Sequence, residues 1–204
     1  MIAIIDYGVG NLFSLKSSFE FIGYDTIVTA DEKTIKAAEK IILPGVGAFG
    51  DAAMKLKDSG LTNVILEEVN NGKPLLGICL GMQLLFEKSY EYGEHEGLGL
   101  IKGDVVPIKP LVGDLKVPQM GWNSLEFTEI ESPIFKYIKN GDYVYFVHSF
   151  HGSNCKDSTI ATTSYGAKLT AAVQNKNVYG TQFHPEKSGK IGLNILRAFC
   201  ELGG

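Results

Sequence analysis

Apolar residues in the first half of the chain occur in short continuous runs that are separated by amphipathic segments. The runs at Ile2–Ile5, Ile41–Leu43 and Pro74–Ile78 predict strands that are buried on both faces of a parallel sheet. Thr26–Thr29 predicts a further strand. These four segments are the expected centre of the fold.

The amphipathic segments predict helices. Leu12, Leu15, Phe19 and Ile22 share one face of a predicted helix, which Gly23 is expected to end. Further helices are predicted at Glu32–Glu39, Ala52–Asp58, Leu61–Asn71 and Leu80–Phe86. Because strands and helices alternate, the pattern favours a parallel sheet with helices on its faces.

The second half of the chain is dominated by short strand-like segments. They are Leu98–Ile108, Lys116–Phe127, Tyr143–Phe150, Thr159–Tyr165, Leu169–Gln174 and Asn177–Phe183. Only Pro133–Ile138 and the closing segment Gly189–Leu202 predict helices. We therefore expect one α/β domain over residues 1–204, with a mostly parallel central sheet flanked by helices and extended by antiparallel strands.

Composition narrows the class of protein. The 204 residues are enough for one large core, and a content of 45% hydrophobic and 21% charged residues is typical of a soluble globular protein. The net charge of −4, without a run of Lys or Arg, indicates neither nucleic acid nor an anionic membrane as a partner. No secretory signal is visible, and the three distant cysteines, Cys79, Cys155 and Cys200, suggest reduced thiols in a cytoplasmic protein.

Cys79 lies at the joint between a predicted strand and a predicted helix. Gly77 and Gly81 flank it at two residues on either side, which is the pattern of a sharp strand-to-helix turn that carries a nucleophile. A buried structural cysteine is the alternative that this pattern leaves open.

His184 ends a predicted strand and is followed by Pro185 and Glu186. Proline holds the preceding residue in an extended conformation, in which residues two apart project to the same side. Glu186 can therefore orient the His184 imidazole, which is the arrangement of a base and its orienting carboxylate. Alternatively, His184 and Glu186 only end the strand.

The loop Pro44–Gly50 contains three glycines after a predicted parallel strand, a position at which α/β sheets bind ligands. Asp6–Asn11 lacks the third glycine of a dinucleotide-binding loop, because Phe13 occupies its place. A zinc site built from Cys79 and the histidines His148, His151 and His184 lacks compact ligand spacing. His148 is expected to be structural or to line the pocket, and His95 to be solvated in an acidic loop.

Several stretches together resemble a known family, the class I glutamine amidotransferases, whose domain fold is flavodoxin-like. The resemblance is carried by Gly77–Gln83 and His184–Glu186. More narrowly, Asp6–Asn11, Pro44–Gly47, Pro118–Asn123 and His184–Ser188 resemble the glutaminase subunits of imidazole glycerol phosphate synthases. Phe150 stands where that family usually has tyrosine.

The resemblance implies hydrolysis of glutamine to glutamate and ammonia for histidine biosynthesis, without a cofactor or a metal. It implies a triad of Cys79, His184 and Glu186. It also assigns residues outside the triad to substrate binding and to the oxyanion hole. The substrate contacts implied are Gln83, Glu91, Gly47, Ser149 and Phe150, and the oxyanion donors are expected at Leu80 and in the loop at Val46 and Gly47. We expect that hole to form fully only with a partner in place.

The implied partner is a cyclase subunit with a (β/α)₈ barrel, which would form a heterodimer with this chain and receive its ammonia. Met120, Trp122 and Lys187 lie in the matching motifs and are the expected contacts; a buried tryptophan in an exposed loop is the alternative for this stretch. A glutaminase that serves another synthase, such as one of an amidated-sugar or anthranilate pathway, also fits. So does a non-catalytic sensor on the same fold, although a sensor would have no need of His184 and Glu186.

Overall fold

The computed structural model describes residues 1–203. Its strands are β1 (Ile2–Ile5), β2 (Thr26–Thr29), β3 (Lys40–Leu43), β4 (Leu75–Ile78), β5 (Phe86–Ser89), β6 (His95–Glu96), β7 (Ile101–Pro107), β8 (Gln119–Ser124), β9 (Glu126–Phe127), β10 (Tyr143–His148), β11 (Phe150–Ser153), β12 (Thr159–Ser164), β13 (Lys168–Asn175) and β14 (Val178–Thr181). Its α-helices are α1 (Leu12–Phe21), α2 (Glu32–Ala37), α3 (Phe49–Asp58), α4 (Leu61–Asn70), α5 (Leu80–Leu84) and α6 (Gly189–Cys200).

The main sheet has the strand order β2-β1-β3-β4-β14-β13-β12-β9. The first five strands are parallel, in the order of a flavodoxin-like sheet, and the last three are added antiparallel. This arrangement confirms the predicted mixed sheet. It also makes β4, which leads to Cys79, the direct neighbour of β14, which leads to His184.

The core lies on both faces of the parallel strands, and all four residues of β1, β3 and β4 are buried. Helices α1 and α6 cover one face, where Phe19 and Phe199 are fully buried. Helices α2, α3 and α4 cover the other, with Ile35, Leu56 and Ile65 in the packed cluster. The continuous apolar runs in the sequence follow from this two-sided burial.

The remaining strands form two small sheets, whose buried residues belong to different core clusters: those of β5 and β7 to the cluster of α2, α3 and α4, and those of β10 to the cluster of α1 and α6. One has the order β11-β7-β5-β6, and the other pairs β10 with β8. The segments Lys116–Phe127 and Tyr143–Phe150, each predicted as one strand, are in fact divided. The first gives β8 and β9, and the second gives β10 and β11.

The predicted helix Leu80–Phe86 is wrong at its C-terminal end. Helix α5 stops at Leu84, and Phe86 begins β5, where it pairs with Ile101 and is completely buried. Tertiary pairing with β7 overrides the local apolar pattern here. The predicted helix Pro133–Ile138 is also shorter, since only Pro133–Phe135 forms a 3₁₀ turn. None of the helices described for residues 1–203 has the length and apolar character needed to cross a membrane.

Candidate active site

A pocket of about 330 Å³ opens at the carboxyl ends of β3, β4 and β14. It is lined by ten residues predicted for the site, namely Val46, Gly47, Cys79, Leu80, Gln83, Glu91, Ser149, Phe150, His184 and Lys187. Pro118, Val147 and His148 complete the lining. The volume suits a small molecule.

Cys79 has the strained backbone of a nucleophile turn, with φ 55° and ψ −112°. Its flanking glycines are required by close packing. A Cβ atom on Gly77 would lie 2.6 Å from the carbonyl oxygen of Gly81, and one on Gly81 would overlap the carbonyl oxygen of Leu43. The turn therefore exists because β3, β4 and α5 meet without side chains between them. The sulfur lies beside the pocket at 8% residue exposure.

His184 reaches Cys79 because β4 and β14 are paired in parallel, with Gly77 opposite Gly180 and Ile78 opposite Thr181. Glu186 Oε1 lies 2.7 Å from His184 Nδ1, and the Glu186 side chain is only 2% exposed. The predicted contact between His184 and Glu186 is present, and His184 is extended as predicted, with φ −96° and ψ 98°, but the residues after it are not. Pro185–Lys187 forms a 3₁₀ turn rather than an extended segment, and this turn brings the carboxylate back to the ring.

The electrostatics of the triad favour a charged imidazole. Burial alone lowers the pKa of His184, but its interactions with Cys79 and Glu186 outweigh burial and raise the pKa to about 9. Since Nδ1 faces Glu186, Nε2 is the nitrogen that remains for Cys79 and a substrate. The ring is thus oriented for proton transfer next to the sulfur.

Glu91 is buried rather than solvated, with 9% of the residue exposed. Its Oε2 accepts a hydrogen bond of 2.6 Å from the backbone N–H of Phe49 at the start of α3. Burial raises the pKa of Glu91, while the Phe49 N–H and His95 oppose that rise. His95 is not fully solvated either, since its ring lies 6.4 Å from that of Phe49. A carboxylate held in this way can receive the ammonium group of an amino acid.

Gln83 projects from α5 into the pocket with a fixed orientation. Its Nε2 donates to the carbonyl oxygen of Phe150 and to Oε1 of Gln182, at 3.0 Å each. Both amide hydrogens are therefore used inside the protein, and Oε1 is the atom left to accept from a ligand. Gln182 had no predicted role, because it carries no motif of its own within the predicted strand Asn177–Phe183; in the structure it directly follows β14.

The glycine loop after β3 lies against the nucleophile turn. A Cβ atom on Gly45 would lie 2.6 Å from the backbone nitrogen of Gly81. Gly47 has φ +95°, and Val46 is 44% exposed at the pocket edge. Tyr7, which had no predicted role, supports this loop because its hydroxyl donates to the carbonyl oxygen of Pro44 at 2.7 Å.

His148 lines the pocket but is held by the protein. Its Nδ1 lies 2.8 Å from the carbonyl oxygen of Phe150, and its Nε2 lies 2.9 Å from Oε1 of Gln119. Burial lowers the pKa of His148 to about 4, so the ring is neutral at physiological pH. Within residues 1–203, no group of three or more His, Cys, Asp or Glu side chains is placed to hold a metal ion.

Met120 and Trp122 project from the same face of β8 and are 64% and 53% exposed. The alternative of a buried tryptophan in an exposed loop is therefore wrong. The Trp122 ring rests edge-on against Tyr145, with ring centroids 6.1 Å apart. Lys187 is exposed at the pocket and carries a positive charge there.

Known proteins match this chain in both fold and sequence. The family Glutamine amidotransferase class-I matches residues 3–201. The chain belongs to this family. A crystal structure described as a glutamine amidotransferase has a TM-score of 0.76 and 17% identity, and the match covers 98% of both chains.

Within the family, the chain is similar to proteins described as imidazole glycerol phosphate synthase subunit HisH. The HisH of Caldanaerobacter subterraneus subsp. tengcongensis is 52% identical over 99% of this chain and 98% of the relative. That of Sulfurimonas denitrificans is 51% identical over 98% of each. The predicted family, fold and enzyme class are thereby confirmed.

Proposed function

We propose that this protein hydrolyses glutamine through a thioester on Cys79, as the glutaminase subunit of an imidazole glycerol phosphate synthase. The observation that carries the mechanism is the buried series of Cys79, His184 and Glu186, with His184 Nδ1 2.7 Å from Glu186. Residues 1–204 act as one amidotransferase domain in the cytoplasm.

The reaction proceeds in two acyl-transfer steps. The Cys79 thiolate attacks the side-chain amide carbon of glutamine, and the carbonyl oxygen becomes an oxyanion. As the intermediate collapses, His184 gives its Nε2 proton to the departing nitrogen, which leaves as ammonia. His184 then takes a proton from water, whose hydroxide attacks the thioester carbon. The second intermediate releases glutamate and regenerates the thiolate.

Substrate recognition follows from the groups around the sulfur. The Glu91 carboxylate and the Gln83 Oε1 atom are acceptors, which suits the α-ammonium group of glutamine. Gly47, Ser149 and Phe150 line the same pocket and contact the rest of the amino acid. The backbone N–H of Leu80 is one oxyanion donor, and the loop at Val46 and Gly47 supplies the second.

The ammonia passes to a cyclase subunit with a (β/α)₈ barrel, in a heterodimer. Met120 and Trp122 supply apolar anchors for docking, and Lys187 supplies a cation at the pocket mouth. The Val46 loop lies at the exposed pocket edge, so the docked subunit completes the oxyanion hole. Turnover of glutamine should therefore rise when the cyclase is added, and equal turnover with and without it would contradict this coupling.

A labelling experiment tests the chemistry directly. The protein is incubated with a chloroketone analogue of glutamine, and the adduct is mapped by mass spectrometry. We expect one adduct on Cys79, protection by glutamine, and none on Cys155 or Cys200. Cys79→Ala should lose at least about a thousand-fold in glutamate release while keeping its thermal unfolding transition. An adduct elsewhere, or none, would rule out the mechanism.

A further inference from the structure

A connected set of buried amides runs from the sulfur of Cys79 to the strand that carries Met120 and Trp122. It passes through Gln182, which is 0% exposed, and Gln83, which is 5% exposed. Besides Cys79, the set contains two of the substrate contacts described above, Gln83 and Phe150, and three residues without a role so far, Gln182, His148 and Gln119. Hydrogen bonds between buried amides restrict one another's orientation, because each donor and acceptor has few alternative partners.

Gln182 contacts both the Cys79 sulfur and the Gln83 side chain. Its Nε2 donates to Cys79 Sγ at 3.9 Å, and its Oε1 accepts from Gln83 Nε2 at 3.0 Å. A donor directed at sulfur interacts more strongly with a thiolate than with a thiol. One carboxamide thus contacts the Cys79 sulfur at one end and fixes the Gln83 side chain at the other.

The backbone carbonyl of Phe150 is the junction of the set. It accepts from Gln83 Nε2 at 3.0 Å and lies 2.8 Å from His148 Nδ1. Both of its lone pairs are used. Because the contact is made by the backbone, phenylalanine at this position serves it as well as tyrosine would.

Gln119 ends the set on β8. In one orientation of its carboxamide, Oε1 faces His148 Nε2, and Nε2 is buried without a partner among the described residues. Since His148 donates through Nδ1, its Nε2 is an acceptor and needs a donor. Rotating the Gln119 carboxamide by half a turn places its N–H against that acceptor and places Oε1 where the nitrogen had no partner. Gln119 then donates to His148 Nε2, Gln83 donates to Gln182 Oε1, and Gln182 donates to the Cys79 sulfur.

We propose that Gln182 is a positioning residue that holds the Cys79 sulfur and the Gln83 carboxamide in one arrangement, anchored through Phe150 and His148 to Gln119 on β8. This inference rests on the proposed glutaminase function and adds residues to it. Strand β8 also presents Met120 and Trp122. A displacement of β8 would therefore shift the Cys79 sulfur through these hydrogen bonds.

Two substitutions at Gln182 separate its two contacts. Gln182→Glu keeps an acceptor for Gln83 but replaces the donor to sulfur with a negative charge. We expect kcat to fall about ten- to a hundred-fold with KM for glutamine within about twofold, and labelling of Cys79 to require a higher pH. Gln182→Met removes both contacts, so KM should rise as well. Gln174→Met is the matched control, because Gln174 is half-buried on β13 and its Nε2 bonds to the carbonyl oxygen of Lys176 at 3.5 Å.

The role of Gln119, at the β8 end of the hydrogen-bonded set, is tested by Gln119→Met, alone and combined with Gln182→Met. Residues of one network give non-additive effects, so the double variant should lose less than the product of the two single losses. Strictly multiplicative losses would remove Gln119 and β8 from the proposal. Wild-type kcat and an unchanged labelling pH profile in Gln182→Glu would overturn it for Gln182.

One measurement needs no substitution and remains informative if a variant fails to fold. The side-chain amide signals of Gln182 in ¹⁵N NMR should move when Cys79 of the wild-type protein is alkylated, and those of Gln174 should not. Unmoved Gln182 signals would contradict the proposal. If the chloroketone analogue fails to label wild-type Cys79, the proposed function itself is wrong, which is a different result.

Discussion

Glu186 stabilises the charged form of His184 from a nearly solvent-free position. Glu186→Gln keeps the size of the side chain but removes the negative charge, so the pKa of His184 should fall from about 9. In the proposed mechanism the protonated ring gives its proton to the leaving nitrogen, so the alkaline limb of the kcat profile should move to lower pH. We also expect kcat to fall at least about a hundred-fold, as when a triad carboxylate becomes an amide.

The measurement is glutamate release between pH 6 and 10. Glu20→Gln on the exposed side of α1 is the control and should leave the profile unchanged. An alkaline limb at the wild-type position in Glu186→Gln would show that the carboxylate does not set the charge of the ring.

His151 makes the fold sensitive to acid. Its Nδ1 accepts from the backbone N–H of Thr170 at 3.3 Å, and burial lowers its pKa to about 4. An unfolded chain takes up this proton near pH 6.5, so the free energy of unfolding should fall as pH drops from about 6.5 to 4. The contribution is on the order of 1–3 kcal/mol.

Urea unfolding at pH 7 and pH 4 tests this effect. In His151→Asn, the loss of stability between the two pH values should be smaller than in the wild type, while the part due to His148 remains. An unchanged difference between the two pH values would contradict a neutral, buried His151.

At the residue scale, the sequence was sufficient where a motif encodes a local geometry. The glycines around Cys79 predict its turn, and their packing confirms why they are glycines. Gln182 and Tyr7 could not be assigned, because their contacts join residues that are distant in the chain. The distance from Gln182 to Gln83, for example, depends on which strands are neighbours in the sheet.

The strand-turn-helix element of Cys79 depends on close backbone contact. Gly81→Ala would place a methyl group against the carbonyl oxygen of Leu43, so β3 or α5 must move. We expect a loss of more than about 3 kcal/mol in the free energy of unfolding, with loss of glutaminase activity. Urea unfolding and glutamate release measure both effects.

Gly113→Ala is the control for this substitution. Gly113 has φ +60° but no atom within 4 Å of its Cβ position, so alanine there costs only backbone strain of about 1–2 kcal/mol. Equal costs at the two positions would show that the contact with Leu43 is not what requires glycine.

At the element scale, strand and helix types in the first eighty residues could be predicted because the parallel strands are buried on both faces. The predictions were least accurate after Leu84, where short strands form small sheets of mixed direction. Phe86 belongs to an apolar run that fits the end of a helix, and only its pairing with Ile101 makes it a strand residue. Such pairing is not encoded in local periodicity.

At the scale of the whole molecule, the exposed side chains of Met120 and Trp122 on β8 form a surface that suits a protein partner. Trp122→Ala should weaken binding of the cyclase by about 2 kcal/mol or more, which is roughly thirty-fold in Kd. Stability should change little because Trp122 is 53% exposed. Isothermal titration calorimetry with the purified cyclase measures the affinity.

Phe21→Ala is the matched control for binding. Phe21 is 79% exposed at the C-terminal end of α1, which leads to the amino end of β2, whereas the pocket lies at the carboxyl ends of the parallel strands. Its substitution should leave the affinity unchanged. A similar loss in both variants, or none in Trp122→Ala, would place the docking surface elsewhere.

The insertion of β14 between β4 and β13 has a consequence for biosynthesis. When β4 leaves the ribosome, it is an apolar edge strand whose proper neighbour has not yet been translated. Until then it can pair with a strand of another nascent chain. The same interval leaves Cys79 without His184. Cys79 therefore gains its proposed base only after β14 and His184 have been translated, when β14 also covers the exposed edge of β4.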